Sequence, residues 1–351
     1  MKETNNLLTS YKKITRLYDQ IWIIIIVIAV GLVIMQLISG NLKSKNLSRE
    51  ELTGQFPCTQ TSPDKVTELN HDPLKTNFDI TLIETKRDLL QTNLYKNDVP
   101  AVTQAKFSDL SELEPCLNDS DELVVITLNS ITKLYPKKIL QQHLLVNDSF
   151  GDDPVLISYC ALCDSVNVYS RVIEDQTLEF ANTGILYKNN DILFDSKTES
   201  LWAQLTGEAL VGDYTGSVLE RLPAKIITYG QAKKTFNEKE ILNFDTGFIR
   251  NYNDASSLDF ESNNKIVGPI INTDDSLPLK RLILGFKIAN IPYAVDVGKI
   301  SNSNNYTANG SDIVITKDEN GIELKVNGAA VIYTFSYWYV WHDFFPETTL
   351  L

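Results

Sequence analysis

The sequence is poor in the residues that most often carry chemistry. It has four cysteines, three histidines and two methionines in 351 residues. It has no Gly-x-Ser-x-Gly elbow, which leaves a nucleophile triad with little support, and neither a phosphate-cradling glycine loop nor a helical His-Glu-x-x-His. A second Cys-x-x-Cys is missing too, which argues against a full zinc ribbon. Positive charge is also in deficit. A formal net charge of −13 argues against nucleic acid, because phosphate binding needs a basic face.

One absence is local. No ionisable side chain occurs between Gln20 and Leu42, and Ile21 to Ile38 is almost continuously apolar, with Trp22 at one end. That length spans a hydrocarbon core of roughly 30 Å as a helix, and a run such as Ile23-Ile24-Ile25-Ile26 has no polar face for a soluble core helix. Residues 21–39 are therefore expected to be a single transmembrane anchor behind a short tail, 1–20. No small-x-small pattern marks a cleavage site at Ser39-Gly40. Basic residues flank the segment on both sides, Lys2, Lys12, Lys13 and Arg16 before it and Lys43, Lys45 and Arg49 after it. The bias is slight, and a large domain after one N-terminal anchor is expected to be extracytoplasmic. Residues 40–77 are polar and aperiodic and read as a linker, with the main domain over 78–351.

Within that domain short β-branched or alternating runs dominate, among them Leu123–Leu128, Val155–Tyr159, Val166–Tyr169 and Asp312–Ile315, punctuated by turns such as Asn309-Gly310. Helical candidates are few: Lys137–Val146, Gln231–Phe236, and a capped start at Ser108. The expected fold is mainly β (α+β with few short helices), one globular domain behind the anchor. Leu123-Val124-Val125-Ile126 leads to Leu134-Tyr135 much as Arg281-Leu282-Ile283-Leu284 leads to Pro292-Tyr293. Duplication or chance similarity between two hairpins explains that echo equally well.

The densest chemistry is Tyr159-Cys160-Ala161-Leu162-Cys163-Asp164-Ser165. Two thiols at this spacing close a disulfide or grip one soft metal ion. Three readings compete. In a dithiol oxidoreductase a helix would follow the first cysteine, whereas here Asp164 disfavours a thiolate and Val166–Tyr169 reads as strand. A copper or zinc site needs a third donor, for which His143 is best placed in sequence, since His71 falls in the linker and His342 near the C-terminus. The third reading is structural, a closed disulfide or buried thiols. Cys58 and Cys116 either join, stabilising the fold by roughly 4 kcal/mol on the chain-entropy model, or stay free.

From about Val99 to Leu350 the chain resembles an uncharacterised, largely prokaryotic family, domain of unknown function 3179 (DUF3179). The resemblance rests on Val99-Pro100-Ala101-Val102 and on Lys133–Leu140 running to His143 and Asn147-Asp148. It continues with Pro154–Ser165, Thr198–Ala209, Asp245-Thr246-Gly247 and Trp341–Thr348. Ala161, Leu201 and Gln142 depart from the family's usual proline, tryptophan and aromatic, and Arg250-Asn251-Tyr252-Asn253 matches poorly. The family implies no reaction. The residues suggest a pocket with Cys160, Cys163 and His143 as ligands of copper or zinc and Asp148 orienting the imidazole, flanked by Asn147, Trp202, Gln204 and Glu208. Glu199 and Glu208 are an alternative acid/base pair, against a strand that merely buries Trp202. The expected function is membrane-anchored binding of a soft metal or thiol-reactive ligand. The alternatives are a dithiol–disulfide oxidoreductase and a non-catalytic structural or interaction domain. Protein partners are left open.

Overall fold

The structure is a computed structural model that describes residues 99–236, 239–248, 250–252 and 265–351, with the backbone of one further strand, Leu90–Thr92. The expected tail, anchor and linker, with Cys58 and His71, lie outside the described residues. Among the described residues no helix is long and apolar enough to cross a membrane.

The fold is mainly β with a few short helices, as its runs of β-branched residues require. Among the described residues, five sheets of four or five strands form a β-propeller-like arrangement. The first sheet holds Phe107–Asp109, Glu122–Leu128, Ile131–Pro136, Lys225–Thr228 and Glu240–Leu242. The second holds Leu145–Phe150, Asp153–Cys160, Ser165–Ser170 and Arg221–Leu222. The third joins Leu90–Thr92 to Phe180–Tyr187, Asn190–Asp195, Leu201–Ala203 and Ala209–Val211. The fourth is Leu282–Ile288, Ile291–Asp296, Thr334–Tyr337 and Thr349–Leu350, and the fifth is the meander Ser303–Ala308, Ser311–Asp318, Gly321–Val326 and Ala329–Ala330.

The echo between two hairpins extends to a repeated topology. In the first sheet Glu122–Leu128 turns at Asn129 and Ser130, both at positive φ, into Ile131–Pro136. In the fourth, Leu282–Ile288 turns at Ala289 and Asn290, also at positive φ, into Ile291–Asp296. Two-residue turns of this hand match the twist of the strands they join. Each leading strand takes an antiparallel partner on its free edge, Lys225–Thr228 or Thr334–Tyr337. A seven-residue helix follows that partner at once, Tyr229–Thr235 or Trp338–Phe344. Each second strand then takes a parallel partner, Glu240–Leu242 or Thr349–Leu350. The first unit carries as its insert the second sheet and the third apart from Leu90–Thr92, and the second unit carries only the fifth.

Both leading strands bury four consecutive residues, Leu123–Ile126 and Ile283–Phe286, so each is covered on both faces. The covering differs. Gly285 lies so close to the ring of Trp341 that a Cβ there would stand 2.5 Å from it. The corresponding positions of the first unit hold Val125 and buried Ala232, so volume moves from helix to sheet. The expected helices occur with shifted ends. Lys137–His143 stops where Leu144 takes φ +60° and the chain turns into strand, Tyr229–Thr235 is capped by Thr228 and Gln231, and Asp109 rather than Ser108 opens the short 3-10 turn Leu110–Leu113.

Candidate functional site

The site is built on the hairpin between Asp153–Cys160 and Ser165–Ser170. Cys160 pairs with Ser165 across it, and the residues between them close a turn in which Asp164 takes φ +48°. Cys160 and Cys163 are joined by a disulfide, and both are fully buried. Leu205, Tyr337, Tyr339 and Val340 pack around them. The turn is also held by the second unit: the Tyr337 amide donates to Cys163 O at 2.8 Å, and the Tyr339 hydroxyl to Leu162 O at 2.7 Å.

A buried polar chain meets the sulfur. Asn190 Nδ2 lies 3.2 Å from Cys163 Sγ and also donates to Gln204 Oε1 at 2.9 Å. Asn190 Oδ1 accepts from the Leu205 amide, Ser165 Oγ donates to Gln204 Oε1, and Gln204 Nε2 donates to Ser158 Oγ at 3.1 Å. The carbonyl of Asn189 stands 3.3 Å from the same sulfur. Asn189 and Asn190 come from the turn after Phe180–Tyr187, where Lys188 and Asn189 both have positive φ. The paired asparagines in Lys188-Asn189-Asn190-Asp191 were the available sequence signal for these sulfur contacts, and motif spacing alone passes over them.

Asp164, expected to oppose a thiolate, shares one cation with Glu122: Lys137 Nζ lies 2.6 Å from Asp164 and 2.8 Å from Glu122. The lysine weakens the electrostatic argument against redox work at this pair without removing it.

His143 sits at the end of its helix, fully buried, with Nδ1 2.8 Å from Pro100 O and Nε2 2.7 Å from the Tyr252 hydroxyl. A carbonyl only accepts, so Nδ1 carries the proton. Burial lowers the imidazole pKa to about 4, so the ring is neutral near pH 7 and Tyr252 donates to Nε2. Tyr252 in turn bonds Thr246 Oγ1 at 2.7 Å. Both ring nitrogens are therefore engaged.

The other expected residues do not converge. Asn147 clamps two strands by bonding both backbone groups of Phe180. Asp148 faces Lys133 and Tyr135, so the imidazole is oriented by Pro100 and not by Asp148. Trp202 is core: its Nε1 donates to Asp195 at 3.0 Å and its ring packs on Phe180 and Tyr214. Glu199 and Glu208 are exposed. His342 bonds Asn272 O through Nδ1. Gln204 alone of the flanking set joins the cysteine network. Cys116 is disulfide-bonded, its partner lying outside the described residues. Among the described residues no group of three or more His, Cys, Asp or Glu is arranged to hold a metal.

Beside the cysteine turn lies a cavity of about 220 Å³. Ala161 and Leu162 form part of its wall, with Gln141, Leu144, Asn182 and Asp191. It opens because Phe180–Tyr187 slips register against Asn190–Asp195 between Asn182 and Leu186, with Gly184 at φ +74°. Burial pushes the Asp191 carboxyl up to about 7. A raised carboxyl in a cavity beside a Cys-x-x-Cys turn is the most perturbed acid of the described residues, and sequence spacing gave no hint of it.

Residues 96–331 match a family model described as "Protein of unknown function (DUF3179)". No curated protein and no solved structure matches the chain.

Proposed function

The chain belongs to the family described as Protein of unknown function (DUF3179), and on that premise we propose that it is a membrane-anchored, extracytoplasmic dithiol–disulfide couple acting on small thiols. The anchor is the apolar segment 21–39, and an oxidising compartment suits a closed pair. The observation that carries the reading is the side-chain amide of Asn190 at 3.2 Å from Cys163 Sγ. A permanent disulfide gains little from a buried donor, whereas a thiolate is stabilised by one. The Asn189 carbonyl on the same sulfur is placed to accept from a thiol. Reduced and ionised forms of Cys163 both find partners.

The cysteines are buried, and the space reaching their turn is the cavity lined by Ala161 and Leu162. A small thiol fits that route better than a folded protein does. Its thiolate attacks one sulfur, a mixed disulfide forms, and the displaced cysteine takes a proton. A second thiol resolves the mixed disulfide, so two electrons and two protons pass to the pair and the two thiols leave as a disulfide. The copper or zinc reading requires the pair to be reduced and His143 to release Tyr252 from Nε2.

The test is redox titration of the full-length chain in mild detergent. Cysteamine–cystamine buffers set the potential, and alkylation with peptide mapping separates Cys160 and Cys163 from Cys116. Reversible labelling of both cysteines with unchanged near-ultraviolet dichroism is expected. Asn190→Ala should shift the couple by about 30 mV toward the disulfide, a factor of ten. A pair that labels only on unfolding sinks the proposal. Stoichiometric zinc or copper(I) uptake by the reduced pair, dependent on His143, would replace it with the metal reading.

A further inference from the structure

Asp191 is the second residue of the strand Asn190–Asp195, and the side chain of Asn190 before it touches Cys163. Its backbone is fixed, with the carbonyl accepting from the Gln204 amide at 3.0 Å. Its carboxylate is not: among the described residues no donor or cation bonds it. Every other carboxylate this deep in the first unit is matched, Asp148 by Lys133 and Tyr135, Asp164 by Lys137, Asp195 by Trp202 and Thr198.

The surroundings of Asp191 are apolar. Val99, Leu144, Leu162, Leu186 and Ile192 line the cavity, and among the described residues its other polar side chains, Gln141 and Asn182, are neutral. Asn182 spends its amide hydrogens on the carbonyls of Val99 and His143. Among the described residues the wall thus offers one negative charge, no positive one, and hydrocarbon on most sides. A neutral or anionic guest leaves that carboxylate unpaired. A protonated amine pairs it and covers the apolar wall with its carbon skeleton.

We infer that this cavity binds a small organic ammonium ion, its nitrogen on the Asp191 carboxylate and its alkyl part against Leu144, Leu162, Leu186 and Ile192. The inference rests on the cavity of the proposed redox site but needs no thiol chemistry. A volume of about 220 Å³ accepts a guest with a cyclohexane-sized ring. An amine that also bears a thiol would join this site to the cysteine turn.

The titratable group that senses Asp191 across the site is Tyr339, which donates to Leu162 O; burial first, then the charges of Tyr337 and Asp191, push its pKa far up, so it stays neutral. With the Asp191 carboxyl near 7, a cation binds more tightly as pH rises through neutrality.

The experiment is calorimetric titration of the full-length chain, pair oxidised, with cyclohexylamine, cyclohexanol and cyclohexanecarboxylate at pH 6 and pH 8. The expected result is binding of cyclohexylamine at least tenfold tighter than cyclohexanol, no binding of the carboxylate, and severalfold stronger amine binding at pH 8 than at pH 6. Asp191→Asn should abolish the preference for the amine. Equal affinity for amine and alcohol, affinity indifferent to pH, or no binding of any probe overturns the inference, and the pH comparison on the unaltered chain decides even if the variant folds poorly. Cyclohexylamine has no sulfur, so this result stands or falls apart from the redox titration.

Discussion

The two units of the repeat share one skeleton and differ in what they insert into it. Each is a hairpin with a left-handed two-residue turn, an antiparallel edge strand leading into a seven-residue helix, and a parallel closing strand. The insert of the second unit is orthodox: Ser303–Ala308 and Gly321–Val326 alternate in burial residue by residue, as half-buried meander strands do. The insert of the first breaks that pattern. Asp153–Cys160 is buried without alternation from Val155 onward, a neutral histidine ends the preceding helix, amides cluster on a sulfur, and Asp191 faces a cavity without a partner. Of the two inserts, only the first gathers residues that violate the local rules of packing and charge in this way, and that is the insert with the candidate chemistry.

The comparison breaks most visibly at the helix covering each hairpin. Trp341→Ala should cost about 3–5 kcal/mol, read by urea unfolding, because it empties the space above Gly285. Adding Gly285→Val imitates the Val125 and Ala232 arrangement of the first unit, and the double variant should recover part of that loss. A double variant worse than Trp341→Ala alone would show that the two units do not trade volume between sheet and helix.

The next effect belongs to the first unit alone, since the short turn Val297–Lys299 stands where the second unit would hold the His143 helix. The folded-state pKa of His143 is lowered to about 4 from 6.5, so the unfolded chain binds more protons between those values. The resulting stability is fully present above pH 6.5 and is lost as pH falls toward 4. The advantage of the native chain over His143→Gln should therefore shrink by roughly 3 kcal/mol across that window. A constant difference in chemical denaturation would refute the buried neutral imidazole.

Asp191 works in the opposite sense. Its folded pKa is raised, so the unfolded chain binds fewer protons between 3.8 and about 7 and stability declines as pH climbs through that range. Asp191→Asn should match the native chain near pH 4 and exceed it at pH 8 by about 4 kcal/mol. Loss of stability at pH 8 would mean the carboxylate is a structural partner and not a binding group.

Much of the skeleton is legible in the sequence because it rests on runs of apolar and β-branched residues. Leu123–Leu128 and Leu282–Leu284 announce strands, and the ends on Tyr135 and Tyr293 hint at the repeat. The rest of the repeat is hidden by the exchange of Val125 and Ala232 for Gly285 and Trp341, which conserves packing while erasing similarity. The aromatic run Trp338–Phe344 carries no polar stripe, so its helix is set by burial and not by periodicity. The site was legible only at Cys160, Cys163 and Gln204. Cysteine and histidine draw the eye as ligands, but whether His143 has a lone pair to give depends on Pro100 and Tyr252, and the latter is 109 positions away. Asp191 looks like one acid among many until a bulge in the neighbouring strand opens a space in front of it.

The inserts leave and re-enter at neighbouring points of each unit, after Pro136 or Asp296 and before Lys225 or Thr334. The skeleton is therefore a pair of sockets, one plugged with a working module and one with a plain meander. The meander's strands carry Ile313, Ile315 and Leu324 into the core, so it is its exposed Asn309-Gly310 turn, with open space around Gly310, that should tolerate insertion far better than any exchange around Cys160, making that turn the place to graft a new recognition loop onto this chain.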